Sequence, residues 1–154
     1  MEGIKTALMT VLVAMTPVLE LRAAIPFGLA GGLAYWEAFW LAVVGNMLPI
    51  PLLILFARRL LSWLSHRFAF MRRFTDFVEK HAVAKAKRIN RFQLFGLMLL
   101  VAVPLPGTGA WTGALVATVL ELRMRSALSA IFLGVVIAGI IVTFLSYSAV
   151  IAFF

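Results

Sequence analysis

The sequence predicts an all-α integral membrane protein built from two inverted repeats. Each repeat is a re-entrant broken-helix hairpin followed by a transmembrane helix, and a cytoplasmic amphipathic helix joins the two. Three observations carry this. Hydrophobic residues make up 64% of the 154-residue chain and charged residues 13%, with mean hydropathy +1.06; an ordinary soluble domain is about half apolar and a quarter charged. The apolar stretches have the wrong lengths for plain spans, which need about 20 residues. The basic residues are gathered in one loop: ten of the fourteen Lys and Arg lie between Arg58 and Arg91.

The first stretch, Thr6 to Trp36, is uncharged except for Glu20 and Arg22 at its middle. It is too long for one span and too short for two. It reads as arm Thr6–Leu19, a polar break at Glu20–Arg22, and arm Ala23–Trp36, with Pro17 stopping the first arm and Pro26-Phe27-Gly28 opening the second. A full span, Ala38–Ala57, follows, interrupted by Asn46 and by Pro49 and Pro51. The second half repeats the plan. Phe92–Leu120 is uncharged and is broken by Pro104-Leu-Pro106-Gly107-Thr108-Gly109, which no helix can run through. After Glu121-Leu-Arg-Met-Arg125 comes a second full span, Ser126–Phe154, with Gly134 and Gly139 as a packing face.

This divides the single membrane domain into repeat one (1–57), a basic linker (58–91) and repeat two (92–154). In the linker, Leu64, Phe68, Met71, Phe74, Phe77 and Ala82 recur at helical spacing opposite basic residues, the pattern of an amphipathic helix on a cytoplasmic leaflet. The loop charge places 58–91 in the cytoplasm of a multi-pass inner-membrane protein, with both termini outside. The two repeats then have opposite topology, with their broken helices meeting near the midplane. The N-terminus does not read as a removable signal, since Glu2 and Lys5 precede an apolar run that continues into Pro17.

Several classes are set aside. There are no cysteines, which excludes disulfides and thiol chemistry. Two histidines, His66 and His81, are too few for a metal site, and no cofactor is expected. The one aspartate, Asp76, and both histidines lie in the loop, so neither paired-aspartate nor Ser/His intramembrane proteolysis is supported, and no enzyme is expected. The basic block reads as a topology signal, and nucleic acid is not an expected partner.

An ionisable residue within a membrane segment is a functional candidate, because inserting it costs roughly 2.5–3.5 kcal/mol. Glu20 is a candidate proton carrier and Arg22 a fixed positive site for an anion; the competing reading is a mutual salt bridge that holds the hairpin tip. The second break has no ionisable side chain. It offers backbone groups and the hydroxyls of Thr108 and Thr112 as ligands, or close packing of small residues. Asn46 is read as a hydrogen-bonding partner for a tip or as packing glue. Leu-Glu-Leu-Arg occurs at 19–22 and again at 120–123, in different places relative to the two hairpins, which reads as coincidence.

Two segments, Pro17-Val-Leu-Glu-Leu-Arg-Ala-Ala-Ile-Pro-Phe-Gly28 and Pro104-Leu-Pro-Gly-Thr-Gly-Ala-Trp-Thr-Gly-Ala-Leu-Val-Ala117, resemble the signatures of the small multidrug export protein family. The resemblance covers essentially the whole chain. It implies a remote relation to DedA/VTT-type membrane proteins, which have paired re-entrant hairpins and inverted repeats and are associated with translocating polyprenyl-phosphate or other lipids with proton coupling. By motif match, Glu20, Arg22, Pro26 and Gly28 fall in the first signature. Pro104, Pro106, Gly107, Thr108, Gly109, Trp111, Thr112 and Gly113 fall in the second. DedA-type proteins carry more charges in their membrane half than this chain does. The expected function is a secondary transporter or translocase, proton-coupled, moving a small amphipathic or anionic, lipid-phosphate-like substrate through a site between the hairpins. Membrane lipids and a second copy in a homodimer are the expected partners. The alternatives are a non-transporting membrane scaffold and a dual-topology small drug exporter.

Overall fold

The computed structural model describes residues 2–67, 86–105 and 107–153. All the regular structure among them is α-helical: α1 Glu2–Met15, α2 Glu20–Ala30, α3 Tyr35–Met47, α4 Ile50–Arg67, α5 Ala86–Ala102, α6 Ala110–Val119 and α7 Met124–Phe153. Two stretches are long and apolar enough to cross a membrane: Tyr35–Trp63, which joins α3 to α4 and has 29 residues, and Met124–Ser148 with 25. The first is interrupted where Pro49 and Pro51 supply no N–H; helical bonding resumes as Leu53 N–H donates to the Pro49 carbonyl at 2.9 Å. The span therefore reaches further at both ends than Ala38–Ala57, and its helix runs through Arg58 and Arg59 to Arg67. The expected amphipathic linker helix lies mostly outside the described residues.

The first break is not where the sequence suggests. The turn between α1 and α2 is 16–19, and Glu20 opens α2. Thr16 closes α1, its hydroxyl donating to the Val13 carbonyl at 2.7 Å. Glu20 has φ 47°, a left-handed conformation few L residues adopt, and this turns the chain into the next helix. Pro26 lies inside α2 and does not open it. A proline removes one helical bond, so the Arg22 carbonyl loses its N–H partner four residues on. The second break lies where expected: α5 ends at Ala102 and α6 begins at Ala110, and of the residues between, Pro106 is outside the described set.

Packing follows one rule in both halves. α1, α2 and α3 pack on one another, as do α5, α6 and α7; across the halves, α2 packs on α7 and α6 on α4. Small residues let these backbones close. A Cβ on Gly45 would meet the Val11 carbonyl oxygen at 2.6 Å, and one on Gly134 would meet that of Met98 at 2.7 Å. The exits of the two short helices are also alike. After α2, Leu33 N–H donates to Gly28 and Gly32 N–H to Leu29, both at 3.0 Å, with Gly32 at φ 85°. After α6, Leu122 N–H donates to Ala117 at 3.0 Å and Glu121 N–H to Thr118 at 3.1 Å, with Glu121 at φ 51°. Both are Schellman caps. Gly32 and Glu121 are separated along the chain by the same interval as Gly45 and Gly134. The two Leu-Glu-Leu-Arg copies do not correspond, since Glu20 begins a helix and Glu121 follows one.

The buried core runs through both halves. Ile25, Val43, Ile50 and Ile54 meet Leu97, Val101, Ile131 and Val135, all nearly inaccessible. Many large apolar side chains face outward, among them Leu52, Phe56, Ile140 and Phe144. That exposed apolar surface suits lipid, in which backbone polar groups must be satisfied internally.

Candidate functional site

The two turns meet, and the first supplies the ligands. The N-cap of α6 is Gly109, which has no side chain to cap the free N–H groups of the first turn. Glu20 does this from the other half of the chain: its Oε1 accepts from the Trp111 backbone N–H at 3.4 Å. A carboxylate there also faces the positive end of the helix dipole. The fit requires glycine at 109. Its φ is 133°, outside the range of L residues, and a Cβ would run into the Glu20 carboxylate. Glu20 is 4% exposed.

Arg22 reaches the same loop. Its Nη2 donates to the Thr108 carbonyl at 2.8 Å and to Thr108 Oγ1 at 3.0 Å. The Thr108 hydroxyl is a hub. It also accepts from Leu105 N–H at 3.2 Å and lies 2.7 Å from the Val103 carbonyl and 2.8 Å from that of Leu105. With one proton it donates to one of these two at a time. Thr112 Oγ1 donates to the Gly107 carbonyl at 2.9 Å. On a regular helix, side chains two apart diverge; the left-handed backbone at Glu20 lets Glu20 and Arg22 converge on one loop. Each bonds to the second turn, and no hydrogen bond joins one to the other, so the pair forms a cross-tie between the turns and not the mutual salt bridge of the competing reading.

The remaining sequence candidates separate into groups. Glu20, Arg22, Thr108, Gly109 and the Trp111 backbone form the junction, with Gly107 and Thr112 bracing it. Pro104 is half-buried in the same turn, and Pro106 is outside the described residues. Pro26 is exposed on α2. Gly28 and Gly113 are packing positions: a Cβ on Gly28 would lie 3.0 Å from that of Ala38, and one on Gly113 would lie 2.6 Å from Val101. Asn46 is 1% exposed, and neither end of its amide has a hydrogen-bond partner, so it does not bond a tip.

Arg58, a topology signal in the sequence, also makes a structural contact. Its Nη2 donates to the Leu122 carbonyl at the exit of α6, a tie between the halves midway along α4. The signal available in the sequence was its place as the first charge after a long apolar run. Two surface grooves lie away from the junction. One, of about 520 Å³, is bounded by Tyr35, Trp36, Phe39, Ile140, Thr143, Phe144 and Tyr147. The other, of about 280 Å³, is bounded by Phe56, Arg59, Leu60 and Trp63. Among the described residues no cluster of metal-ligating side chains occurs.

No curated protein and no solved structure matches the chain. A family profile does, over residues 20–141, a stretch that starts at Glu20 and takes in the whole junction. The chain belongs to the family described as "Putative small multi-drug export protein".

Proposed function

We propose that this protein is a secondary transporter whose substrate site lies between the two helix turns, where Glu20 and Arg22 of the first half engage Thr108–Trp111 of the second. The family and the two long apolar helices together point to a membrane location and to transport. The observation that carries the reading is the cross-tie itself. The only two charges in the first apolar stretch are both spent on the opposite turn, and a passage between the halves opens when those bonds break. The halves act as inverted repeats, each with a re-entrant helix pair. Matching Schellman exits, matching packing glycines and the reciprocal packing of α2 on α7 and α6 on α4 support this. Residues 58–91 face the cytoplasm of the inner membrane and both termini face outward. Two copies associate to cover the exposed irregular backbone.

In this mechanism the Arg22 guanidinium attracts an anionic or amphipathic substrate, and Glu20 exchanges a proton as the turns separate. The test uses purified protein in lipid vesicles, with substrate flux followed with and without a pH gradient. Glu20→Gln abolishes the effect of the gradient while leaving binding in place, and Arg22→Ala abolishes uptake of anionic substrates. Flux that keeps its gradient dependence in Glu20→Gln would refute proton carriage. A non-transporting scaffold is the second reading, favoured by the completeness of the bonding across the turns; it predicts that both variants lose stability and that wild-type vesicles move nothing.

A further inference from the structure

Two polar side chains next to the junction have no hydrogen-bond partner: both ends of the Asn46 amide, and the buried indole N–H of Trp111. They belong to one layer. α2 and α3 are antiparallel, with Gly28 against Ala38. Since all α-helices rise equally per residue, this register carries Glu20 to the level of Asn46. The Glu20 carboxylate in turn bonds the Trp111 backbone N–H, which brings the start of α6 to the same level. Asn46 also has a defined face. It lies two turns beyond Phe39, whose ring packs where Gly139 of α7 has no side chain. It is therefore directed at α7, between the halves, and the nearby buried residues of α7, Ile131, Val135 and Ala138, offer it nothing polar.

A buried amide without partners lowers stability, and a leucine of similar size in its place would not. Such a group calls for a use. The inventory of unpaired atoms defines what fits. Trp111 Nε1 and Asn46 Nδ2 are donors and Asn46 Oδ1 is an acceptor. An ammonium head satisfies only the acceptor and leaves both donors bare. A fully ionised oxyanion satisfies the donors and leaves the acceptor bare. A hydroxyl, or an undissociated acid, satisfies all three. We propose that Asn46 and Trp111 bind the oxygen-bearing polar head of the transported molecule, a head that carries at least one O–H. This rests on the site between the turns. Because the Asn46 amide and the Trp111 indole nitrogen are inaccessible in this conformation, the head enters as the turns part.

The test uses the purified full-length chain in mild detergent and two probes with the same alkyl chain, n-octanol and n-octylammonium, read by thermal unfolding. Octanol raises the Tm of the wild type and octylammonium does not. Asn46→Leu raises the Tm of the unliganded protein by about 2–4 °C and removes the octanol shift. Trp111→Phe keeps the ring and weakens the octanol response about tenfold. Three results overturn the proposal: Asn46→Leu lowers Tm or fails to fold, the octanol shift persists in Asn46→Leu, or octylammonium matches octanol. Flux through Glu20→Gln and Arg22→Ala vesicles separates the two ideas. If those variants transport normally while the octanol shift still depends on Asn46, the head-group site stands and the proposed transport path does not.

Discussion

The two turns share a frame and differ in chemistry. Each joins a helix pair packed on its own span, and each pair leaves through the same Schellman exit. Yet the helix that follows the first turn opens with both charges, and the second turn carries none. The second is a receptor made of backbone: a helix start with no cap of its own, a carbonyl and hydroxyl at Thr108, and glycines that leave room. The division is sharpest where each short helix starts. Glu20 is the first residue of α2 and Gly109 the N-cap just before α6, and both have positive φ. The residue that supplies the carboxylate bears a strained backbone, and the residue that receives it has given up its side chain. The lesson is that one function, capping, can be split between two halves of a chain, one supplying the carboxylate and the other the bare helix start.

Breaking the receiving side should have the largest effect. Gly109→Ala places a methyl against the Glu20 carboxylate in a backbone conformation that alanine avoids, and about 3 kcal/mol or more of stability should be lost. Unfolding in detergent will measure it; a melt within 1 °C of wild type, on the order of a few tenths of a kcal/mol, would mean the turns are not in contact.

Breaking the donating side comes next. Glu20→Ala strands the Trp111 N–H and should cost about 1–3 kcal/mol, whereas Glu20→Gln keeps an accepting oxygen and should cost less than half as much. Hydrogen exchange at Trp111 should speed up in the alanine variant. Equal losses in the two variants would show that charge, and not the cap, is what counts.

Arg22→Met tests the reach of the guanidinium. It keeps the stem and removes the Nη2 that makes both bonds to Thr108, so about 1–3 kcal/mol should go, and a matching loss in Thr108→Val with no further loss in the double variant would tie the effect to this contact. Additive losses would place the two residues in separate roles.

The smallest effects sharpen the comparison at the exits. Gly32→Ala should cost about 1 kcal/mol, since open space surrounds it and only φ objects. Glu121→Gly should gain up to about 1 kcal/mol by relieving the same conformation. Opposite signs from thermal melts would establish the two exits as equivalents; the same sign in both would dissolve the equivalence.

What the sequence made legible was whatever is local. Pro104, Gly107 and Gly109 place the second break correctly because proline and glycine act on their own backbone. The long apolar runs identify both spans, and Gly134 and Gly139 mark close helix contacts. The first break was placed too late because polarity stood in for geometry: Glu20–Arg22 looked like the turn, but the turn is the Thr16–Leu19 segment and the charges ride on the helix that follows. Pro26 misled in the same way, since α2 tolerates the loss of one bond. The cross-tie was hidden for a different reason. Arg22 and Thr108 are far apart in sequence, and nothing in either segment names the other as its partner. Asn46 was recognised as unusual, but its lack of any partner is visible only once α7 is in place.

The borrowed cap on α6 has a consequence for biogenesis. As the ribosome delivers the second half, α6 emerges with its first N–H groups bare, and its own segment offers only Gly109. It is completed when it finds a carboxylate translated long before. Folding should therefore be ordered: the first half, with Glu20 in place, has to form before the start of α6 can be completed. Translated alone, residues 92–154 would be an orphan for membrane quality control, and co-expressing the first half in trans should rescue it from proteolysis.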